Sequence, residues 1–123
     1  MTQQQPLSLS AFEIVGSALC VASDDGQKVY DRIAGALREN KPVELSFRNI
    51  SSLTSAFLNS AIGQLYGNFN QDQIRTHLKV TDLQPDDIAL MRRVVETAKE
   101  YFKDPTRFTR TVHEITGEEG AES

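Results

Sequence analysis

From Asn49 to Gln71 the chain runs for 23 residues without a charged side chain, and this run limits what can surround it. Its centre, Ser51 to Gly67, reads Ser-Ser-Leu-Thr-Ser-Ala-Phe-Leu-Asn-Ser-Ala-Ile-Gly-Gln-Leu-Tyr-Gly. Hydroxyls open it, and Leu58, Ala61, Ile62 and Leu65 then fall at helical spacing, which predicts a helix over about 55–66 with Gly67 and Asn68 to end it. Just before it, Pro42 to Arg48 alternates: Val43, Leu45 and Phe47 share one face, and Glu44, Ser46 and Arg48 the other. A strand apolar on one face has its helices mainly on one side of the sheet, because burial on both faces favours a continuous apolar run. The pattern is a strand, a loop and a capped helix at a sheet edge.

The rest of the chain alternates in the same way. Leu7-Ser8-Leu9-Ser10 and Phe12-Glu13-Ile14-Val15 are strand-like, and Gly16-Ser17 separates them from Ala18 to Ala22, so the chain is expected to open with a β-hairpin. Asp24 is expected to cap a helix, with Gln27 reaching back as in a capping box. Val29, Ile33 and Leu37 form its inner face, and Asn40 and Pro42 stop it. Leu78-Lys79-Val80 is a short strand. Pro85-Asp86-Asp87 then opens the strongest helix, in which Ile88, Met91, Val95, Ala98 and Phe102 recur at steps of three and four and Pro105 terminates. The expected fold is α/β, with a mixed sheet of about four strands. Residues 1–6 are read as a disordered tail, 7–103 as one domain, and 104–123 as a mobile acidic tail of weak periodicity that includes residues 107–115.

Seventeen acidic residues against thirteen basic ones give a net charge of −4, which disfavours a phosphate backbone as partner. Arg92 and Arg93 read as the solvated face of a helix. No window approaches the roughly 18 apolar residues of a membrane span, and the first residues lack the basic and apolar regions of a leader. A lone Cys20 between Leu19 and Val21 reads as a buried core thiol in a reducing compartment, so a cytoplasmic location with no membrane contact is expected.

Signatures of catalysis are missing. Gly16, Gly26, Gly35, Gly63 and Gly67 fit no phosphate-binding loop, and His77 and His113 lack a second ligand at metal spacing. Cys20 with His77 as a nucleophilic pair lacks the electropositive setting that would activate a thiol. Asp24-Asp25 and Asp86-Asp87 are explained by helix starts. The expectation is a protein that is not an enzyme and needs no cofactor or metal.

That leaves Ser51, Ser52, Thr54 and Ser55 at the start of the uncharged helix. Unpaired N–H groups and the helix dipole favour an anion there, although Thr54 or Ser55 acting as an ordinary N-cap accounts for the same residues. On the outer side of the helix, Asn59, Ser60, Gln64, Phe57 and Tyr66 form a charge-free surface suited to protein contact.

The order of elements and the run Leu53 to Gly67 resemble the STAS-like domains of bacteria, relatives of anti-sigma factor antagonists and of sulfate-transporter STAS domains, over about 7–103. In the antagonists an Asp-Ser-Ser-Gly segment follows the central strand, and a GHKL-type ATPase kinase phosphorylates its first serine to block partner binding. Ser55 falls at that serine. Thr54 replaces the acid, and Ala56-Phe57 replaces the following Ser-Gly. The resemblance implies a regulatory module that docks a GHKL-type ATPase or kinase, with phosphorylation or anion binding at Ser55, Thr54 or Ser52. The alternative is a small-ligand or nucleotide sensor that uses the helix N-terminus at Thr54-Ser55.

Overall fold

The computed structural model describes residues 5–103. Strand β1 (Leu7–Ser10) leads into helix α1 (Ala11–Val15), β2 (Leu19–Cys20), α2 (Ser23–Arg38), β3 (Val43–Ser46) and β4 (Ser52–Leu53). A helical run follows: α3 (Ser55–Leu58), a π-helical segment (Asn59–Gly63) and α4 (Leu65–Asn68). Helix α5 (Gln71–His77), β5 (Leu78–Thr81) and α6 (Pro85–Lys103) complete the order. The expected 104–123 tail, the Pro105 stop and most of the 1–6 tail lie outside the described residues.

The opening hairpin does not form. Ser10 ends β1 and caps α1, its Oγ accepting from the Glu13 N–H at 3.1 Å, so the chain turns into a helix where alternation had suggested more strand. Gly16 closes α1 at φ 80, where its N–H donates to the Phe12 carbonyl. Strand β1 pairs with β3 instead, in parallel, and β3 pairs in parallel with β5, giving a three-stranded sheet of order β1-β3-β5. Strands β2 and β4 form a separate parallel pair. Among the described residues both sheets are therefore purely parallel rather than mixed, since every connection between paired strands passes through a helix.

Register aligns Leu7, Val43 and Leu78 in one row and Leu9, Leu45 and Val80 in another. These rows share the face that carries the core, in which Val43 and Leu45 cluster with Ile33, Leu37, Leu58, Ile62 and Leu65. Ser8 and Lys79, on the opposite face, are exposed, and Glu44 between them is half-buried. Helix α2 begins at Ser23 with no side-chain cap, so Asp24 serves the first turn rather than the cap, while Val29, Ile33 and Leu37 are fully buried as the spacing implies. The inner face of α6 is rotated from the expected one. Val94 and Ala98 are buried, whereas Ile88 and Phe102 stay exposed.

The uncharged run is the middle of the helix layer. Its π-helical turn, closed by the Gln64 N–H on the Asn59 carbonyl at 3.1 Å, packs against α2 on one flank and α6 on the other. Phe57, Leu58, Ala61 and Leu65 have no exposed surface. An ionised side chain at these sites would be desolvated on both flanks at a cost of several kcal/mol. The contact with α2 is close: a Cβ on Gly26 would lie 2.5 Å from the Phe57 carbonyl oxygen and 3.2 Å from the Ala61 nitrogen, both backbone atoms. Gly35, on the same helix, has open space around its Cα.

The two glycines should therefore respond oppositely to the same change. Gly35→Ala should raise the melting temperature, since it gains up to about 1 kcal/mol of helix propensity. Gly26→Ala should lower it, by about 1–3 kcal/mol of overpacking, despite the same propensity gain. Thermal unfolding of both variants checks this, and a stabilised Gly26→Ala would contradict the close packing.

Candidate functional site

The hydroxyl cluster lies where β2 and β4 meet. Parallel pairing places Leu19 beside Ser52 and Cys20 beside Leu53. On either side of the pair, the Ser51 N–H donates to the Ala18 carbonyl at 2.8 Å and the Thr54 N–H to the Cys20 carbonyl at 3.2 Å. Thr54 completes the join. Its hydroxyl donates to the Val21 carbonyl at 2.7 Å and accepts from the Phe57 N–H at 3.2 Å, so a single oxygen caps α3 and ties it to the segment after β2. The cap is thus Thr54 and not Ser55, and the O–H and N–H donors of Thr54 are both engaged within the chain.

Ser52 and Ser55 are exposed. Beside them, Leu19 and Val21 expose 53% and 42% of their surface. The loop thus presents two accessible hydroxyls and two apolar side chains. Sequence reasoning overlooked Leu19 and Val21 by treating the whole segment around Cys20 as core. The strand's own alternation carried the signal, since residues on either side of an inward Cys20 must point outward.

The expected outer surface of the helix is divided by the structure. Phe57 is fully buried, because the first turn of α3 directs it into the core, so it is no contact residue. Gln64 is half-buried and tied down, its Nε2 donating to Gln27 Oε1 at 2.8 Å and to the Ser60 carbonyl at 2.7 Å. Asn59 is exposed and shares with Gln64 a small groove floored by Gly63 and Ala98 and walled by Tyr101 and Phe102. Tyr66 lies in a separate cleft under α6 with Lys99 Nζ 6.0 Å from its ring centre, and burial raises its phenol pKa. Asn59 stands one helical turn after Ser55, its N–H reaching back to the Ser55 carbonyl, and both are exposed, whereas Tyr66 lines the other cleft.

Cys20 has no exposed surface, and burial, followed by the negative charge of Asp25, pushes its thiol up to about 11. A neutral, enclosed thiol is no nucleophile. His77 is occupied locally, with Nδ1 3.1 Å from the Gln73 carbonyl in its own helix. His113 lies outside the described residues. Among the described residues no three His, Cys, Asp or Glu side chains are grouped to hold a metal ion, and no helix is long and apolar enough to cross a membrane.

Residues 25–87, from the first turn of α2 to the first turn of α6, match the family described as STAS-like domain of unknown function (DUF4325). The chain belongs to this family. No curated protein and no solved structure matches it. The matched region of this STAS-like domain contains β3, β4, the Thr54 cap and Ser55, while Leu19 and Val21 precede it.

Two outcomes follow from the engaged cap and the enclosed thiol. Thr54→Val keeps the shape but removes both hydrogen bonds, and should cost about 1–2 kcal/mol in chemical denaturation, with Thr54→Ser recovering most of it. At pH 8 the Cys20 thiolate fraction should be about a hundredth of that of an unperturbed thiol, so iodoacetamide should leave the native STAS-like domain unlabelled and label it promptly once unfolded. Rapid native labelling, read by mass spectrometry, would show the thiol to be accessible.

Proposed function

We propose that this STAS-like domain is a non-enzymatic regulatory module that docks another protein through Leu19, Val21, Ser52 and Ser55. Its partner is a GHKL-type ATPase or kinase, as the resemblance to anti-sigma factor antagonists implies, and Ser55 is the switch. The observation that carries this reading is the division of labour at the start of α3. Thr54 supplies the cap, leaving the Ser55 hydroxyl exposed and uncommitted beside two exposed apolar side chains.

The departures from the antagonist motif have local explanations. Thr54, where the antagonists carry an acid, satisfies the same helix terminus without a charge. Phe57, where they carry glycine, turns into the core and leaves the surface beside Ser55 clear. Docking would bury Leu19 and Val21, and a phosphate on Ser55, bringing a charge of about −1.5 to −2, would have to be desolvated in the same contact. Phosphorylation would then release the partner.

Affinity capture from native lysate with ATP present tests the proposal. The wild-type domain should recover a GHKL-type ATPase, Ser55→Ala should retain it, and Ser55→Asp and Leu19→Asp should each reduce recovery at least tenfold, as loss of a central contact does. Failure to recover such an ATPase, or recovery indifferent to both Asp substitutions, would overturn the reading.

A further inference from the structure

The cleft under α6 differs in chemistry from the rest of the surface. It encloses about 360 Å³, within the roughly 300–1,000 Å³ of small-molecule sites. Ile62 and Ile74, almost fully buried, line its interior, and Val80 of β5 with Met91 and Val95 of α6 line it as half-buried side chains. Its charged groups are Asp72, Arg75 and Lys99, and Tyr66 adds a phenol.

These polar groups are not equivalent. Arg75 Nη2 lies 2.8 Å from Asp72 Oδ1, so this guanidinium and this carboxylate offset each other within α5. Lys99 makes no ion pair among the described residues, and what it faces is the Tyr66 ring, whose centre is 6.0 Å from Nζ. In a chain of net charge −4 the cleft therefore carries one uncompensated positive charge. The half-buried Tyr66 phenol makes no hydrogen bond among the described residues, and burial raises its pKa, so it keeps its proton at neutral pH. An ammonium and a neutral O–H are both donors, and a carboxylate is an acceptor that can serve the two together.

We propose that this cleft binds a small aromatic carboxylic acid, its carboxylate held by the Lys99 ammonium and the Tyr66 hydroxyl and its ring seated among Ile62, Met91 and Val95. A monoanion matches the single uncompensated charge. A phosphate or a dicarboxylate would bring further negative charge beside Asp72, with Arg75 already paired. The body of the ligand must be apolar, because the interior offers it only aliphatic side chains. A ring suits this lining better than a chain, since the Met91 thioether makes favourable contacts with aromatic edges and the Tyr66 ring with another ring. Such a ligand would tie α6, through Lys99, Met91 and Val95, to Tyr66 of α4 and Ile74 of α5. None of Leu19, Val21, Ser52 and Ser55 lines the cleft, so this inference is independent of the docking surface.

Methyl NMR of the full chain, titrated to low-millimolar benzoate, phenylacetate or indoleacetate, tests it, with the uncharged amide of each acid as control. At least one acid should give saturable shifts centred on the Ile62, Met91 and Val95 methyls, and its amide should bind about tenfold more weakly. Lys99→Met keeps the aliphatic stem and removes the charge. It should weaken binding of that acid about tenfold, as loss of a charge-assisted hydrogen bond does, and leave the melting temperature unchanged because Lys99 is exposed. Tyr66→Phe loses only the O–H donor and should weaken binding about threefold. Absence of saturable shifts at these methyls with all three acids, equal binding of the amides, or affinity that Lys99→Met leaves intact would overturn the proposal. Nuclear Overhauser contacts in the unliganded protein from the Met91 and Val95 methyls to residues beyond Lys103, or to a second copy, would give the cleft another occupant and overturn it equally.

Discussion

The approach of α2 to the middle of the helical run, backbone to backbone at Gly26, sets the dimensions of the rest of the molecule. With no side chain at Gly26, the Phe57 carbonyl and the Ala61 amide come within the space a Cβ would need, which locks the π-helical turn against α2. The two elements are further joined by polar contacts along the seam, Gln27 to Gln64 at 2.8 Å and Tyr30 to Asn68 at 2.7 Å. With one flank of the helical run closed in this way and α6 closing the other, the absence of charge from Asn49 to Gln71 is a condition of burial. The same residues first looked like a surface kept free of charge for a partner. Within this run the residues that face outward lie in the short capped loop and helix start, at Asn59, and from Gly67 onward.

Much of the fold was legible because burial in this chain follows simple periods. The inner face of α2, the alternation of β3, the proline and acids that start α6 and the strand at Leu78 were all recoverable from spacing. Where reading failed, a local hydrogen bond decided between two plausible patterns. Ser10 and Glu13 stand at capping-box spacing, yet Leu7 to Val15 also alternates well enough to pass for strand, and only the cap on Glu13 resolves it. Helix α5 was hidden for the same reason, its start marked by Asn70 accepting from the Gln73 N–H at 2.7 Å within a polar stretch.

The candidate site was legible in position and less so in membership. Hydroxyls before an apolar helix located the cap, but which oxygen serves it depends on the partner strand: Thr54 is held by the Val21 carbonyl, 33 residues away in sequence. Phe57 was misplaced because an aromatic residue at a helix start is equally compatible with a surface anchor and a core ring until the rotation of the first turn is known. Leu19 and Val21 were missed because an apolar strand reads as interior by composition, although a two-residue strand at the periphery buries only one of its sides.

The widened turn at Asn59–Gly63 also sets a rotational phase. Buried apolar side chains along the run recur at steps of four, Phe57, Ala61, Leu65 and Leu58, Ile62, whereas successive steps of four in a straight α-helix each rotate about 40° around the axis. The slack in the π-helical segment absorbs that drift and keeps both rows aimed at the core as far as Leu65. Downstream, it also fixes the bearing of Gly63 and Gly67, the small residues against which α6 lies with Ala98 and Phe102. A chain one residue shorter here would have an ordinary helix whose second half faces the wrong neighbours. Length between Asn59 and Gly63 is therefore constrained as tightly as composition, and homologous chains should accept exchanges of apolar residues in this turn more readily than a deletion.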